Sequence, residues 1–382
     1  MWEALREFLS YQRPEKVGAL TLKSKSSDTA GPSGASTSGI PEKLSFSRVI
    51  NRETCFPCRL DDFMNYLTYV ERNSENLRFY LWFRKYIQNF DALSEGEKSL
   101  SPIWECPLMK GKSEPQVTGL ADEKKIKEVD PSTQPFRGEV DRITQMFLAP
   151  LSPFELNLSG RDRKEVLTAL STTTHPSAFK SVLPQVETSL RQQSHPNFVR
   201  YALSTANSGR VAAMRWGGFV LILVALALAV GLSLGKVSKA VRVVVPTSAL
   251  FFGICSLLDG QRSVCLVLLT LGLRDRFAWE KDTDCMCDSQ VVECDIEKAS
   301  TISFDIFDGP IPRDEDREAI ISKFEKRNVI SHMLFGWSTL GGIDPEVRRV
   351  QRLIVMQNIA ISLAFAIVLG VILTVTPRGS MY

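Results

Sequence analysis

The stretch LDDFMNYLTYVERNSENLRFYLWFRKYI, Leu60 to Ile87, carries two helical patterns back to back. In the first, Leu60, Phe63, Met64, Leu67 and Val70 recur at three- and four-residue spacing and line one face of a helix ending near Arg72 and Asn73. The second opens on Ser74, a residue type that caps helices. It carries Leu77, Tyr80, Leu81, Phe83, Ile87 and Phe90 as a broad apolar stripe suited to a core. Helical period governs the stretch throughout, so it predicts an all-α fold.

The same period continues on both sides. Ile143, Met146 and Phe147 predict one further helix and Arg163 to Leu170 another. Phe179, Val182, Leu183, Val186 and Leu190 predict a third, which Pro184 must begin or kink. No alternating run argues for a sheet, and residues 44–208 read as one helical domain. Inside it, residues 91–138 lose the period, with Pro102, Pro107, Pro115, Pro131 and Pro135 among charges, and read as a long insert loop. Ahead of the domain, Trp2, Leu5, Phe8 and Leu9 give residues 1–20 an amphipathic helical pattern. Residues 21–43 are Ser-, Gly- and Pro-rich and read as a disordered linker.

Beyond Ser208 the composition changes. Residues 217–235 hold no charge and are long enough to cross ~30 Å of hydrocarbon at about 1.5 Å per residue. Residues 243–273 are apolar but interrupted by Asp259, Gln261 and Arg262. Their halves, roughly 16 and 11 residues, fall short of the ~20 that a helical crossing needs. They therefore predict one passage kinked at Pro246, with a re-entrant hairpin as the alternative. The charge pair Asp259 and Arg262 points either to function at membrane depth or to an interface position. A third passage spans residues 353–376, preceded by Arg348, Arg349 and Arg352, which place its N-terminal side in the cytosol. With three passages, residues 274–352 form a cytosolic loop, the N-terminal domain is cytosolic, and the short tail, residues 377–382, lies on the opposite side. The N-terminus lacks the pattern of a secretory signal, and the expectation is a multi-pass protein of the plasma membrane.

A net charge of +3 over 382 residues, without a clustered basic face, excludes nucleic acid as a partner. The histidines, His175, His195 and His332, sit in no catalytic motif, and GKVSK at Gly235 lacks the upstream glycine of a phosphate loop. No catalytic residue, cofactor or metal site is predicted, and the chain is not expected to be an enzyme. Cys55 and Cys58 have redox spacing without a second pair and read as free thiols. Cys285, Cys287 and Cys294 lie in an acidic loop. Cys285 and Cys287 read as unmodified thiols, with acylation as the alternative. The glycosylation triplet at Asn157 is silent in a cytosolic domain.

Three segments together, LDDFMNYLTYVERNSENLRFYLWFRKYI, FELNLSGRDRKEVLTAL and HPSAFKSVLPQVETSLRQQSHPNFVRY, resemble the regulator of G-protein signalling (RGS) domain over about Leu44 to Ala206. Ser74, Glu75, Asn76 and Leu77 stand where that family has its S-E-N-hydrophobic turn, and Glu155 to Leu158 match another of its short signatures. SHPNF, Ser194 to Phe198, is similar to fungal members. DPEVRRVQRLIVMQN, Asp344 to Asn358, ahead of a last passage, resembles the fungal bud-site-selection proteins that join such a domain to membrane helices.

The resemblance implies a helical bundle whose loops clasp the switch regions of a Gα subunit without inserting a catalytic group. By position it assigns the contact to Glu75, Asn76, Gln193, Ser194 and Asn197. The family's Asn between its middle helices falls near Ala169, and its last contact loop has Gln193 and Asn197 where an Asp and an Arg are usual, so acceleration of GTP hydrolysis is in question. The expected function is a membrane-anchored regulator of G-protein signalling. The alternative is a cell-polarity or bud-site landmark whose RGS-like domain docks without accelerating hydrolysis. The implied partners are a Gα subunit, the lipid bilayer, an integral membrane glycoprotein, and further copies of the chain through its membrane helices.

Overall fold

The computed structural model describes residues 11, 39–104, 131–152, 154–235, 237–275, 338–340 and 344–376. The amphipathic pattern in residues 1–20, most of the linker 21–43, the middle of the insert loop, Cys106, Cys285, Cys287, Cys294, most of the loop 274–352 and the tail 377–382 lie outside the described residues. The fold is all-α except for two three-residue strands, β1 (Leu273–Asp275) and β2 (Ser338–Leu340), paired antiparallel. Two compact units divide the chain: one from residues up to Tyr69 and from His195 onward, the other from Val70 to Ser194.

Helices α1 (Phe46–Ile50) and α2 (Leu60–Tyr66) precede α3 (Ser74–Asp91), as the quoted stretch predicts. The continuous apolar face from Leu60 to Val70 does not form. After Tyr66 the helix widens into a π turn, Leu67–Glu71, and the extra residue per turn rotates Val70 off the buried face, leaving it 45% exposed. The residue before α3 is Asn73, and Ser74 is the first helical residue.

In the Val70–Ser194 unit, the buried face of α3 is also shifted from the expected stripe. Phe79, Trp82, Phe83, Tyr86 and Phe90 are buried with Leu77, whereas Tyr80, Leu81 and Ile87 are half-buried. Phe79, Trp82, Phe83 and Tyr86 surround the Phe179 ring at centroid distances of 5.9, 5.4, 5.4 and 6.2 Å, a favourable range for aromatic pairs. The polar tips of this cluster are satisfied: Trp82 Nε1 donates to Glu139 Oε1 at 2.7 Å and the Tyr86 hydroxyl donates to the Thr174 carbonyl. After a short α4 (Glu95–Lys98), α5 (Arg137–Ile143) widens into a π turn, Thr144–Leu148. Helix α6 (Gly160–Thr172) is capped by Ser159, whose Oγ accepts from Asp162 N at 3.1 Å. Pro184 sits at the start of α7 (Leu183–Thr188), the position where its missing N–H costs least, and a third π turn, Ser189–Ser194, follows.

In the other unit, α8 (His195–Ala202) packs Phe198 on Phe63 and Tyr66, at 4.9 and 5.6 Å, and His195 Nε2 lies 2.9 Å from the Leu44 carbonyl oxygen. Three long helices follow: α9 (Ser208–Leu234), α10 (Lys239–Arg262) and, after the short α11 (Leu266–Thr270), α12 (Pro345–Val375). All three are long and apolar enough to cross a membrane. Two begin before their apolar cores, at Ser208 and Pro345. The expected single passage over 243–273 is corrected: α10 runs through Pro246 to Arg262 and ends where Ser263 takes a left-handed φ of 54°. After Ser263 come α11 and β1.

Contacts fix α10 antiparallel to both α9 and α12. A Cβ on Gly218 of α9 would lie 2.6 Å from Leu257 N and 2.8 Å from Gly253 O, so these backbones touch without intervening side chains. Arg242, in the first turn of α10, donates through Nη2 to the carbonyls of Leu373 and Thr376 at the end of α12, at 2.7 and 3.1 Å. Asp259 and Arg262 turn to α12 separately: Asn358 Nδ2 donates to Asp259 Oδ1 at 2.7 Å, and Arg262 Nη1 donates to Gln357 Oε1 at 2.7 Å.

The end of α8 is joined to these helices without slack. Thr205 donates its N–H to the Ser263 carbonyl at 3.0 Å, and accepts from Asp275 N at 2.9 Å and, through Oγ1, from Cys265 N at 2.8 Å. Asp344 caps α12 by accepting from Glu346 N at 2.8 Å, and also accepts from Cys55 N at 3.2 Å while its own N–H donates to the Phe56 carbonyl at 2.7 Å. The reading of Cys55 and Cys58 as a pair of free thiols is corrected: Cys55 is disulfide-bonded, and Cys58 is free and buried, its thiol pushed well up by burial first and then by Asp344 and Asp62.

Candidate site at the first turn of helix α3

The chain reverses between the first π turn and α3 through Arg72, which is exposed with a φ of 58°, and Asn73. The reversal sets Glu75 and Asn76, both half-buried, on the first turn of α3. A carboxylate there is favoured by the unpaired N–H groups at the helix start.

Two further segments meet this turn. Asn73 Nδ2 donates to Ser194 Oγ at 3.3 Å, tying it to the third π turn and hence to the half-buried Gln193. The Arg78 guanidinium lies 4.8 Å from the centroid of the Phe154 ring, tying α3 to the loop between the second π turn and α6. Phe154 in turn stacks on Phe147 at 5.9 Å.

That loop is held from within by Glu155. Its Oε2 accepts from Leu151 N at 2.9 Å and its Oε1 pairs with Arg163 Nη1. Arg163 also donates to the carbonyls of Leu156 and Leu148, at 3.0 and 3.3 Å. The bond from Leu151 N, then the Arg163 guanidinium, hold the Glu155 carboxyl below its ordinary pKa.

Of the five residues assigned by resemblance, Glu75, Asn76, Gln193 and Ser194 belong to these segments. Ser194 is fully buried, and its hydroxyl serves the turn from behind. Asn197 is buried on α8, in the other unit. From the sequence, this region was marked only by Glu155 to Leu158, as a family signature. The signal available there was the pairing of Glu155 with a basic residue at the start of the following helix.

The family model of the Regulator of G protein signaling domain, RGS, matches residues 57–203. This segment is an RGS domain. The matched span runs from just before α2 to the end of α8 and includes all three segments at the α3 turn; the three long apolar helices follow it. No curated protein and no solved structure matches the chain. A domain of this family supports a role in G-protein signalling regulation in general. The site offers one carboxylate, amide groups and a loop whose Phe154 rests on Phe147 and whose Glu155 is paired with Arg163.

Proposed function

We propose that the chain is a membrane-anchored regulator of heterotrimeric G-protein signalling that binds the switch regions of a GTP-loaded Gα subunit with Glu75, Asn76 and Gln193. The observation that carries this reading is the Asn73 to Ser194 hydrogen bond inside an RGS domain. It fixes the turn bearing Glu75 and Asn76 beside the segment bearing Gln193 before any partner arrives.

The chemistry asked of such a surface is differential binding. Contacts that are stronger when the switch loops adopt their hydrolytic arrangement lower the barrier, each ~1.4 kcal/mol being worth about tenfold in rate. The partner supplies its own Gln and Arg to the phosphoryl transfer. The three apolar helices would hold the domain at the bilayer and raise its effective concentration near a lipid-bound partner. Arg348, Arg349 and Arg352, ahead of the apolar part of α12, support a cytosolic RGS domain and a C-terminus on the far side of the plasma membrane.

The test is single-turnover GTP hydrolysis by each Gα subunit of the source organism, with and without the full chain in lipid nanodiscs. Acceleration of at least one of them is expected. Neither binding nor acceleration of any would remove the reading. Protease accessibility of a tag at each end checks the orientation, and tags cleaved from the same side would overturn it.

A second reading, a cell-polarity or bud-site docking module, is supported by the burial of Ser194 and Asn197, which leaves fewer polar groups facing a partner. It expects binding to Gα, or to an integral membrane glycoprotein, with an unchanged rate of hydrolysis.

A further inference from the structure

Residues 264–272, VCLVLLTLG, follow the end of α10 and carry no charge. An uncharged run this short cannot cross a bilayer and is ordinarily buried in a core or laid along a membrane surface. One face is core: Val264, Cys265 and Leu268 are buried. The other face is bare, with Val267 and Leu271, one turn apart on α11 and its C-cap, each 60% exposed. A single exposed apolar residue is ordinary. Two on one outer face, outside the three long apolar helices, leave a surface that water covers poorly.

The run is a closed excursion. Thr205 Oγ1 accepts from Cys265 N at 2.8 Å and the Thr205 carbonyl accepts from Asp275 N at 2.9 Å, so both ends return to one residue just ahead of α9. Its polar groups are turned inward. Leu266 N donates to Asp259 Oδ2 at 3.3 Å, and Leu269, Leu271 and Gly272 donate their N–H groups to the carbonyls of Cys265, Val267 and Leu269. The Thr270 hydroxyl also folds back, donating to the Val267 carbonyl at 2.9 Å. An apolar exterior over satisfied backbone is what lipid demands of any segment that enters it. The level of the excursion is set by α10: a Cβ on Gly260 would lie 3.0 Å from Arg215 N, two residues before the uncharged run of α9 begins at Gly217. The chain therefore leaves α10 at the boundary of the apolar spans.

Arginines of α12 stand beside it. The heavy atom nearest to a Cβ built on Gly272 is Arg348 Nη2, at 3.9 Å. Arg348 is half-exposed and Arg352, one turn further along α12, is exposed. Neither pairs with a carboxylate among the described residues, and Glu346 in the same part of α12 is held by Lys43 and Arg349 at 3.2 and 3.4 Å. Like charges four residues apart on a helix repel. An anion lying over both would remove that cost, and a phosphate fits the guanidinium fork.

We propose that α11 lies in the cytosolic leaflet and, with Arg348 and Arg352, binds an anionic phospholipid. Acyl chains cover Val267 and Leu271, and the headgroup phosphate meets the two guanidinium groups. Apolar contact joined to nearby arginines is the means by which interfacial segments select negatively charged lipid. This inference rests on the membrane-anchored reading above, and the experiment separates the two.

Leu271→Trp and, as a second probe, Val267→Trp are introduced at these exposed positions in the full chain in phosphatidylcholine nanodiscs. The nanodiscs carry equal shares of either brominated phosphatidylcholine or brominated phosphatidylserine, and the parent's tryptophan emission is subtracted. Both brominated lipids should quench the added tryptophan, aqueous iodide should not, and brominated phosphatidylserine should quench at least about twofold more than brominated phosphatidylcholine. Arg348→Gln combined with Arg352→Gln should bring the two lipids level while quenching by phosphatidylcholine persists. Equal quenching by both lipids with the arginines in place would overturn the anionic-lipid site. Quenching by iodide alone would assign the face to water, and shielding from iodide and lipid alike would assign it to a protein surface, a second copy included; either overturns the proposal. Trp216, 71% exposed on α9, is the internal control. If brominated lipid leaves the parent's own emission unchanged, the membrane-anchored reading fails, and this inference with it.

Discussion

The side-chain amide of Asn73 and the hydroxyl of Ser194, 121 residues apart in sequence, meet at 3.3 Å and close the site at the first turn of α3. Ser194→Ala removes the acceptor from a buried position, and Asn73 Oδ1 already lacks a partner, so the amide is left with neither bond. The expected cost is ~1–2 kcal/mol of stability, read as a lower thermal midpoint, with weaker Gα binding from a loosened turn. A variant that keeps both would show that the bond does not organise the site.

Gly217 and Gly218 give a paired test of the α9–α10 contact. A Cβ at Gly218 meets backbone at 2.6 and 2.8 Å, whereas one at Gly217 meets nothing within 4 Å. Backbone cannot yield as a flexible side chain can, so Gly218→Ala should lower resistance to detergent-induced unfolding by ~1–3 kcal/mol. Gly217→Ala should leave it unchanged or raise it slightly, as glycine in a helix interior is unfavourable.

Asn358 holds Asp259 Oδ1 at 2.7 Å between two apolar helices. Asn358→Ala leaves that oxygen without its donor and should cost ~0.6–2 kcal/mol in the same unfolding assay. Asn358→Asp, which sets two carboxylates side by side, should cost more. Equal stability of the three proteins would mean that water or lipid serves Asp259 as well as Asn358 does.

Much of this architecture was legible because the elements follow local period and local chemistry. Helices α6 and α7 stand where Arg163 to Leu170 and the Pro184 stripe put them, since Ser159 and Pro184 act on their own neighbours. Three features were not legible. The π turn at Leu67–Glu71 changes the number of residues per turn without any residue that marks it, and so carried Val70 off the core. The aromatic residues of α3 are dense enough to satisfy more than one face, and the position of Phe179, far along the chain, decides between them. Asp259 and Arg262 suggested each other by proximity in sequence, but each bonds a side chain of α12 instead. At the α3 turn, Glu75 and Asn76 stand out in the sequence by their S-E-N motif, whereas the left-handed backbone at Leu151 depends on Glu155 and Arg163 and runs against leucine's own preference.

His175 gives a pH signature to the Val70–Ser194 unit. Burial, opposed by Asp91, lowers its pKa below the ordinary ~6.5, while Nδ1 accepts from Ser177 N at 3.1 Å. A depressed folded-state value favours the neutral ring. The stability this supplies is present above the unfolded pKa of about 6.5 and is lost as pH falls through the folded value. The thermal midpoint should fall between pH 7.5 and 5, and His175→Asn, which keeps an acceptor but cannot titrate there, should flatten that fall. Parallel profiles for the two proteins would assign the pH dependence to another group.

The bond between Asp259 and Asn358 spans 99 residues, which sets an order of events during synthesis. The hairpin of α9 and α10 can close as soon as it leaves the ribosome, because its contact is bare backbone. At ~5–20 residues per second, about 5–20 s pass before Asn358 is made. Through that interval Asp259 of the nascent hairpin has the Leu266 N–H but not the Asn358 amide. A chain truncated before residue 358 would leave Asp259 Oδ1 permanently without that donor, a lesion that quality-control machinery can recognise and remove.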